Sequence, residues 1–263
     1  MASFSPETIA VFGSFPITNT VIHTLFVDTL LFGTSLYISK KIKLIPSFFQ
    51  NSIETIMETF YNLVESIAHA NTTFIFPFVM SFFLFILIAN LTSLLPGFGS
   101  IGIYKEHMAN EKTTLQEKEK TPKKELIPIL RGATSDLNVT FALALISVVA
   151  THGLSIRLTG IKDYIGRYIS LNPINLFVGI LEIAAEITKI VSLSFRLFGN
   201  IYAGEVALST VSNLFAFLFP LPFLFLENIV GVVQALVFAI LTLVFMSIMT
   251  TPHHAIDNEG ENH

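Results

Sequence analysis

One run of twelve residues places a permanent charge inside a stretch that is otherwise suited to lipid. The run, SFRLFGNIYAGE, covers residues 194–205 and lies within an apolar stretch from residue 173 to about residue 217. An arginine side chain at bilayer depth costs roughly 3 kcal/mol or more, and it cannot lose its proton to escape that cost. Such a residue is retained when a partner charge or a water-filled path compensates it. Arg196 is therefore predicted to be a functional residue.

The charged residues around Arg196 divide between two faces of a helix. Residues 173–251 contain only six charged side chains: Glu182, Glu186, Lys189, Arg196, Glu205 and Glu227. At 100° per residue, Glu182, Lys189, Arg196 and Asn200 share one face. Glu205 lies on the opposite face, since it follows Arg196 by nine residues. The chemistry expected of such carboxylates is the uptake and release of ions at membrane depth.

A second polar track is predicted on the last apolar segment. Glu227, Gly231 and Gln234 share a face there, and the glycine permits close approach of another helix. Acidic residues on the two sides of Arg196 predict two half-paths, each open to one compartment, rather than one continuous pore. Either Glu205 or Glu227 could instead be protonated and simply packed, and the residues leave open which of the two relays an ion.

Structural roles are open for several other polar residues. Glu186 and Lys189, three residues apart, can neutralise each other. Asn90 can join two helices by a hydrogen bond, and Asp136 can cap the helix that follows it. Asp28, in the first apolar segment, has no partner that the sequence identifies. Arg196 differs from all of these, because no negative charge lies within one helical turn of it.

The elements that position these residues are predicted to be membrane helices. The chain has 263 residues, of which 52% are hydrophobic and 13% charged, about half the charge of a soluble domain. We expect an all-α membrane protein with about five transmembrane helices and one amphipathic surface helix. The spans are predicted near residues 16–38, 73–95, 137–158, 173–217 and 221–249, and the surface helix near 53–67. The whole chain, 1–263, is predicted to be a single polytopic membrane domain.

The fourth predicted span is too long to cross a bilayer directly. At about 1.5 Å per residue, it reaches roughly 68 Å, against about 30 Å of hydrocarbon. The last two helices are therefore expected to be long and tilted, and to form a hairpin that turns at Pro220 and Pro222. Two polar segments lie outside the bilayer in this prediction: a charged loop at 97–135 and a C-terminal tail at 251–263. Eleven charged residues lie between 105 and 125.

The distribution of lysine and arginine predicts the orientation. Basic groups at 40–43 and 157–167 follow the first and third spans, which places both groups inside if the N-terminus is outside. The charged loop and the turn at Pro220 then lie outside, and the C-terminus lies inside. Under this topology Glu205 belongs to the outer side of Arg196, and Glu182 and Glu186 belong to the inner side.

Several classes of function are disfavoured by composition. The chain has no cysteine, which excludes disulfides and thiolate chemistry, and no GxxxxGK[ST] loop for nucleotide phosphates. The net charge of −4 argues against nucleic acid as a partner. His253 and His254 are adjacent, but two histidines rarely suffice for a metal site. No cofactor, metal or catalytic residue is predicted, and the chain is not expected to be an enzyme by itself.

Several motifs together resemble one family. The run 194–205 with Gln234 after it, FPITNT at 15–20, NLTSLLP at 90–96 and DLNVT at 136–140 are similar to subunit a of the F-type ATP synthase membrane sector. The resemblance covers nearly the whole chain apart from 105–125 and the tail after Thr251. Arg-Leu-Phe-Gly-Asn within an apolar helix is highly specific. One departure is that Glu205 and Glu227 are both glutamate, where the family often pairs a carboxylate with a histidine.

The resemblance implies a stator subunit that passes protons to and from a rotating ring of c subunits. Its other implied partners are the peripheral-stalk b subunits, the rest of the F-type ATP synthase, and membrane lipid. It implies that Arg196 faces the carboxylates of the ring. The residues implied for the outer half-channel are Asn200, Glu205, Glu227 and Gln234, with Asn90 near it. Glu182 is implied for the inner half-channel, and Lys189 is counted with the ion-translocating residues because it shares the Arg196 face.

One alternative function and one alternative location remain open at this stage. A secondary transporter could hold an anionic substrate through Arg196, although that class predicts two related halves, and no internal repeat is visible. The membrane is expected to be the bacterial cell (inner) membrane, with the mitochondrial inner membrane as the alternative.

Overall fold

A computed structural model describes residues 7–12, 15–43, 46–95, 102–107, 123–128, 131–168, 173–214 and 220–251. Seven helices of at least eight residues occur in these ranges. They are α1 (Asn19–Lys41), α2 (Phe48–Ala68), α3 (Thr72–Ser93), α4 (Leu137–Thr159), α5 (Ile161–Tyr168), α6 (Pro173–Leu214) and α7 (Pro220–Thr250). The predicted all-α membrane class is confirmed. The helix α5 and two short β-hairpins were not predicted.

The two hairpins are local additions to the helical bundle. In the first, β1 (Thr8–Phe12) pairs antiparallel with β2 (Phe15–Thr18), directly before α1. In the second, β3 (Gly102–His107) pairs antiparallel with β4 (Lys123–Pro128). The second hairpin lies within the segment predicted as a charged loop, and residues 108–122 of that segment lie outside the described residues.

Four helical stretches are long and apolar enough to cross a membrane. They are α1, the stretch Phe48–Ser93 that joins α2 to α3, α4 and α7. The helix α6 is not among them, because its charged side chains lower its hydropathy. It is nevertheless one helix of 42 residues, which at about 1.5 Å per residue gives roughly 63 Å. The long fourth helix was therefore predicted correctly, apart from its end, since 215–219 lie outside the described residues.

The core lies where α3, α4, α6 and α7 meet. The helix α3 packs along α7, and α4 packs against both α6 and α7. The aromatic rings of Phe82 on α3 and Phe238 on α7 lie 5.7 Å apart and are almost fully buried. The predicted α6–α7 hairpin is seen as direct packing of these two helices. Each of these helices turns one face toward its neighbours. A polar side chain on that face must therefore be hydrogen-bonded inside the bundle.

The amphipathic helix predicted near 53–67 is α2. It turns back onto α3 through a single 3-10 turn, His69–Asn71, in which His69 has a left-handed φ of 45°. Its apolar face buries Phe60 and Val64 in the core, and the predicted acidic residues, such as Glu58, are exposed on the other face. The packing partner of α2 is therefore the bundle itself.

Three elements satisfy the last carbonyl groups of α7. The last four carbonyl groups of a helix have no hydrogen-bond donor within the helix, and here side chains of other elements supply the donors. Arg167 of α5 donates to the carbonyls of Ile248 and Thr251. Ser155 of α4 donates to the carbonyl of Met249, and Asn71 donates to that of Thr250. These bonds hold the C-terminal end of α7 against α4, α5 and the α2–α3 turn.

Residues 131–136 run into the bundle rather than away from it. Ala133 and Thr134 are fully buried, Ser135 is nearly so, and the three form a single 3-10 turn before α4. Burial is tolerated because the polar groups are paired: Thr134 Oγ1 donates to Asn90 Oδ1 at 2.7 Å. The end of the predicted 97–135 loop is thus a packed segment beside α3.

Candidate functional site

Arg196 lies near the middle of α6 on an exposed face of the bundle. Within the described ranges, its guanidinium makes no hydrogen bond or ion pair. It lines a groove with Lys189 and Ser192 from α6 and with Leu241 and Phe245 from α7. The arrangement leaves a cation available to a group outside this chain.

Two carboxylates come together at one end of the α6–α7 contact. Glu227 of α7 is 5% exposed, and its side chain lies against the backbone of Gly204, the residue before Glu205. A Cβ on Gly204 would stand 2.7 Å from Glu227 Cδ, so the glycine makes room for this carboxylate. The side chain of Glu205 meets a cation, since its Oε1 lies 3.8 Å from Arg131 Nε.

Amide side chains continue this polar region toward Arg196. Asn90 of α3 is fully buried, and its Nδ2 donates to Gly231 O at 2.9 Å, which ties α3 to α7 as predicted. Asn200 Nδ2 donates to Gln234 Oε1 at 2.7 Å, across α6 and α7. Asn200 follows Arg196 by one helical turn, about 6 Å along the axis. We call the cluster of Glu205, Glu227, Asn90, Gln234, Asn200 and Arg131 the outer polar region.

The amide of Gln234 and the carboxylate of Glu205, both in the outer polar region, each have a buried atom without a hydrogen-bond partner among the described residues. These atoms are Gln234 Nε2 and Glu205 Oε2. Buried polar groups in folded proteins are nearly always satisfied by protein or by ordered water. These two atoms are therefore placed to contact water.

The first helix closes the same end of the bundle. His23 is fully buried on α1, where its Nδ1 accepts from Ala133 N at 2.8 Å and its Nε2 lies 2.9 Å from Thr92 Oγ1. Asp136 accepts from Asn138 N at 2.9 Å, which is the predicted cap, and also from Thr20 Oγ1 at 2.8 Å. These contacts hold the 131–136 segment, and with it Arg131, against α1 and α3.

A second cluster lies on the other side of Arg196, near the start of α6. Glu186 Oε1 lies 2.7 Å from Lys189 Nζ, which is the predicted neutralising pair. Glu186 Oε2 also lies 3.6 Å from His152 Nε2 of α4. Lys189 Nζ lies 4.6 Å above the ring of Phe245, so its charge is shared between a carboxylate and an aromatic face.

Glu182 belongs to the same cluster and meets the short helix α5. Its Oε1 lies 3.7 Å from Arg167 Nε.

Two tyrosines of α5 lie beside this ion pair. Burial, followed by the charge of neighbouring Tyr164, raises the pKa of the Tyr168 phenol above its ordinary value, so this phenol stays neutral. Tyr164 also connects to α4, since its hydroxyl lies 3.1 Å from His152 Nδ1. We call the cluster of Glu182, Glu186, Lys189, His152, Tyr164 and Arg167 the inner polar region.

The sequence-predicted residues therefore form two groups with Arg196 between them. Asn90, Asn200, Glu205, Glu227 and Gln234 come together in the outer polar region, while Glu182 and Lys189 lie in the inner one. Reading the sequence missed Arg131 and His152 as members, and it missed His23 as a residue that holds the 131–136 segment in place. Arg131 stands just before the Asp136 motif and was counted with the charged loop, and each histidine is one of seven without a local pattern. Asp28 is exposed on α1.

Metal binding has no support in the part of the chain that the structure describes. No group of three or more histidine, aspartate or glutamate side chains there is placed to hold a metal ion.

The fold and the site define a multi-pass helical membrane protein with ionisable residues buried between its helices. The family model for the ATP synthase A chain matches residues 20–247, and the chain belongs to this family. The prediction of a non-catalytic membrane subunit of the F-type ATP synthase is thereby confirmed.

Curated relatives agree along nearly the full length. The chain is 29% identical over 251 residues to ATP synthase subunit a of Legionella pneumophila (strain Philadelphia 1), covering 95% of this chain and 94% of that protein. It is 28% identical over 247 residues to ATP synthase subunit a of Moorella thermoacetica, covering 94% and 97%. With ATP synthase subunit a 2 of Pelobacter propionicus it shares 32% identity over 212 residues, covering 80% and 76%.

Proposed function

We propose that this chain provides two proton half-channels of a rotary ATP synthase and that Arg196 separates them. The observation that carries the proposal is the position of Arg196: an exposed cation, without an ion-pair partner in the described ranges, between two polar regions that lie along the same helix. A buried polar region alone would be compatible with a structural role. A cation offered to the outside of the bundle requires a partner.

The partner we propose is a rotating ring of c subunits with a carboxylate at membrane depth. The exposed part of α6 next to Arg196 carries apolar side chains: Phe195 and Val191 are 56% and 46% exposed. Such a surface can slide against another apolar surface in lipid while the arginine meets each carboxylate in turn. An opposite charge within about 4–6 Å favours the ionised carboxylate, so Arg196 strips the proton from each one that passes.

The outer half-channel consists of Glu205, Glu227, Asn90, Gln234 and Asn200, which lead from Glu205 on α6 to within a turn of Arg196. The inner half-channel begins at the groove of Lys189 and Ser192 and includes Glu182. A fixed cation between them bars a bare proton from crossing directly. Rotation of the ring is then the available route, and each charge that crosses is worth about 2.3 kcal/mol per 100 mV.

The remaining parts of the assembly follow from this role. We propose that b subunits of the peripheral stalk hold the chain stationary and that it resides in the bacterial inner membrane with its N-terminus outside. A secondary transporter, the alternative open to the sequence, is a different class from the family to which the chain belongs.

The test is the replacement of Arg196 in the assembled ATP synthase. Arg196→Ala, and also Arg196→Lys, should abolish proton-driven ATP synthesis in membrane vesicles, because lysine keeps the charge but not the planar fork or the very high pKa. Co-purification of the c ring checks assembly. Arg157→Gln is the matched control, since this arginine lies at the far end of α4 over the Phe74 ring, 5.6 Å from its centre. Wild-type synthesis in Arg196→Ala vesicles would contradict the proposal.

A further inference from the structure

The outer polar region contains a buried arginine, Arg131, whose role the ion path described so far leaves open. The side chain of Arg131 is 7% exposed, and it lies 3.8 Å from Glu205 through Nε. Removing a guanidinium from water is costly unless an anion and further hydrogen bonds compensate it. Arg131 therefore has Glu205 as a charged partner, while its Nε also donates to Ser135 Oγ at 3.3 Å.

The backbone that carries Arg131 is held firmly. Ser135 Oγ donates back to Gly132 O at 2.9 Å, which closes the turn after Arg131. A Cβ on Gly132 would stand 3.0 Å from Ser93 Cβ, so this turn packs directly on the end of α3. Thr134 and Ala133 in the same turn bond to Asn90 and His23. Arg131 is thus a preorganised cation rather than a mobile loop residue.

The two carboxylates of the outer polar region differ in their surroundings. Glu205 has a cation within 4 Å and is 37% exposed through its side chain. Glu227 is more deeply buried and lies against the backbone of Gly204. Among the described residues, no cationic side chain contacts Glu227. Neighbouring carboxylates in a low-dielectric site do not both ionise readily, and a cation beside one of them decides which member carries the charge.

We infer that Arg131 holds Glu205 as a standing carboxylate, so that Glu227 is the member of the pair that takes up and releases the transported proton. In each cycle, Glu227 accepts one proton from outer water and becomes a neutral carboxylic acid. It then returns that proton, by way of the Gln234 and Asn200 region, to an ionised carboxylate of the ring. No other reactant is consumed, and Glu205 and Arg131 keep their charges throughout. This inference rests on the proposed function and assigns roles within that same site.

Infrared difference spectra of the assembled enzyme test the assignment directly. A protonated carboxyl group has a C=O stretch that an ionised carboxylate lacks. The wild-type minus Glu227→Gln spectrum should contain this band, and the wild-type minus Glu205→Gln spectrum should not. The opposite result, in which only Glu205→Gln removes the band, would overturn the inference. A band removed by neither variant would overturn it equally.

A charge-paired set of variants tests the role of Arg131 as a positioning residue. Arg131→Gln should lower ATP-driven proton pumping by about tenfold, in line with the loss of one partner of a buried charge pair. Arg131→Lys should restore most of it, because it returns the charge. Arg131→Gln combined with Glu205→Gln should pump no worse than Glu205→Gln alone, because the two residues act as one pair. Independent, additive losses in the double variant would show that Arg131 does not act through Glu205.

The outcomes separate this inference from the proposed function. If Arg196→Ala abolishes coupling but the infrared band belongs to Glu205, only the assignment within the pair is wrong. If Arg196→Ala retains coupling, the half-channel account itself is wrong. Should Arg131→Gln fail to assemble, Arg131→Lys and the two glutamate variants still decide the result. Arg157→Gln again serves as the control for loss of an arginine from the chain.

Discussion

The two polar regions on either side of Arg196 are neutralised in different ways. In the inner polar region each carboxylate contacts a cation: Glu182 meets Arg167, and Glu186 meets Lys189 as well as His152. Of the two carboxylates in the outer polar region, only Glu205 contacts a cation in the described ranges. A region of matched charges can hold a fixed structure in lipid. A region with one unmatched carboxylate gains stability by binding a proton, which is the property that an ion-loading site needs.

The difference is also visible in what holds each region. Inner residues are anchored by the short helix α5 and by the satisfied end of α7, where Arg167 bonds to two carbonyls. Outer residues are anchored by amides and hydroxyls, such as Asn90 and Thr134, which can bond to water as readily as to each other. We therefore expect substitutions to reduce flux most in the outer region and stability most in the inner one.

The largest expected effect is that of Glu227. Glu227→Gln should lower proton flux by about 100-fold or more, since loss of a group that transfers protons typically costs two to four orders of magnitude. Proton pumping driven by ATP in inverted vesicles is the measurement, with c-ring retention as the check on assembly. Normal pumping in this variant would remove Glu227 from the outer path.

The next effect concerns the pair rather than its members. Because Glu227 lies against Gly204, the residue before Glu205, we treat the two glutamates as one pair whose losses should not add. We expect the Glu205→Gln and Glu227→Gln double variant to lose less flux than the product of the two single losses. The comparison uses the same pumping assay on all three variants. Fully multiplicative losses would mean that the two carboxylates act independently.

A smaller effect is expected at Gly204. The Cβ of Gly204→Ala would stand 2.7 Å from Glu227 Cδ, closer than van der Waals contact allows, so the flexible carboxylate must move while the helices need not. Flux should fall by roughly tenfold with assembly unchanged, because a displaced relay group loses its alignment. Gly153→Ala is the matched control, since a Cβ at that position has nothing within 4 Å. Equal losses in both variants would point to helix bending rather than to Glu227.

In the inner region the expected effect is on stability. Glu186→Gln leaves Lys189 and His152 without their carboxylate in a site where the Glu186 side chain is 11% exposed. The cost should be about 1–3 kcal/mol, below the figure for a fully buried pair, because Lys189 is 21% exposed. Thermal denaturation of the purified complex measures it, and pumping should fall less than in Glu227→Gln. A flux loss as large as that of Glu227→Gln, without loss of stability, would erase the contrast between the two regions.

The smallest effect is expected at the charged insertion. Replacing residues 105–125 by a short Gly/Ser linker should leave coupling and assembly nearly unchanged, since loop length itself is cheap. Neither polar region uses a residue of this segment. Added protease should cut the segment in intact cells, because it is predicted to lie outside. Cleavage confined to inverted vesicles would reverse the topology and exchange the outer and inner assignments.

The helices and the spacing of the charged residues on α6 followed from the sequence because their signals are local. The apolar length of each segment and the position of Pro220 determined the predicted helices, and the 100° spacing placed Arg196 and Glu205 on different faces. Contacts between distant segments carried no such signal. The pairing of Arg131 with Glu205 joins residues 74 positions apart, and that of His152 with Glu186 depends on how α4 packs on α6. The buried turn 133–135 was assigned to the loop, because its polar residues give no sign of the partners that bury it.

The central claim, two half-paths that open to opposite sides of the membrane, can be tested by the access of water to each. The chain has no cysteine, so a single introduced thiol is its only one. We expect Gln234→Cys to react with a membrane-impermeant thiol reagent added to intact cells, and Ser192→Cys to react only in inverted vesicles. Phe225→Cys, on an exposed apolar part of α7, should react in neither. Reaction of the first two variants from the same side of the membrane would contradict the account.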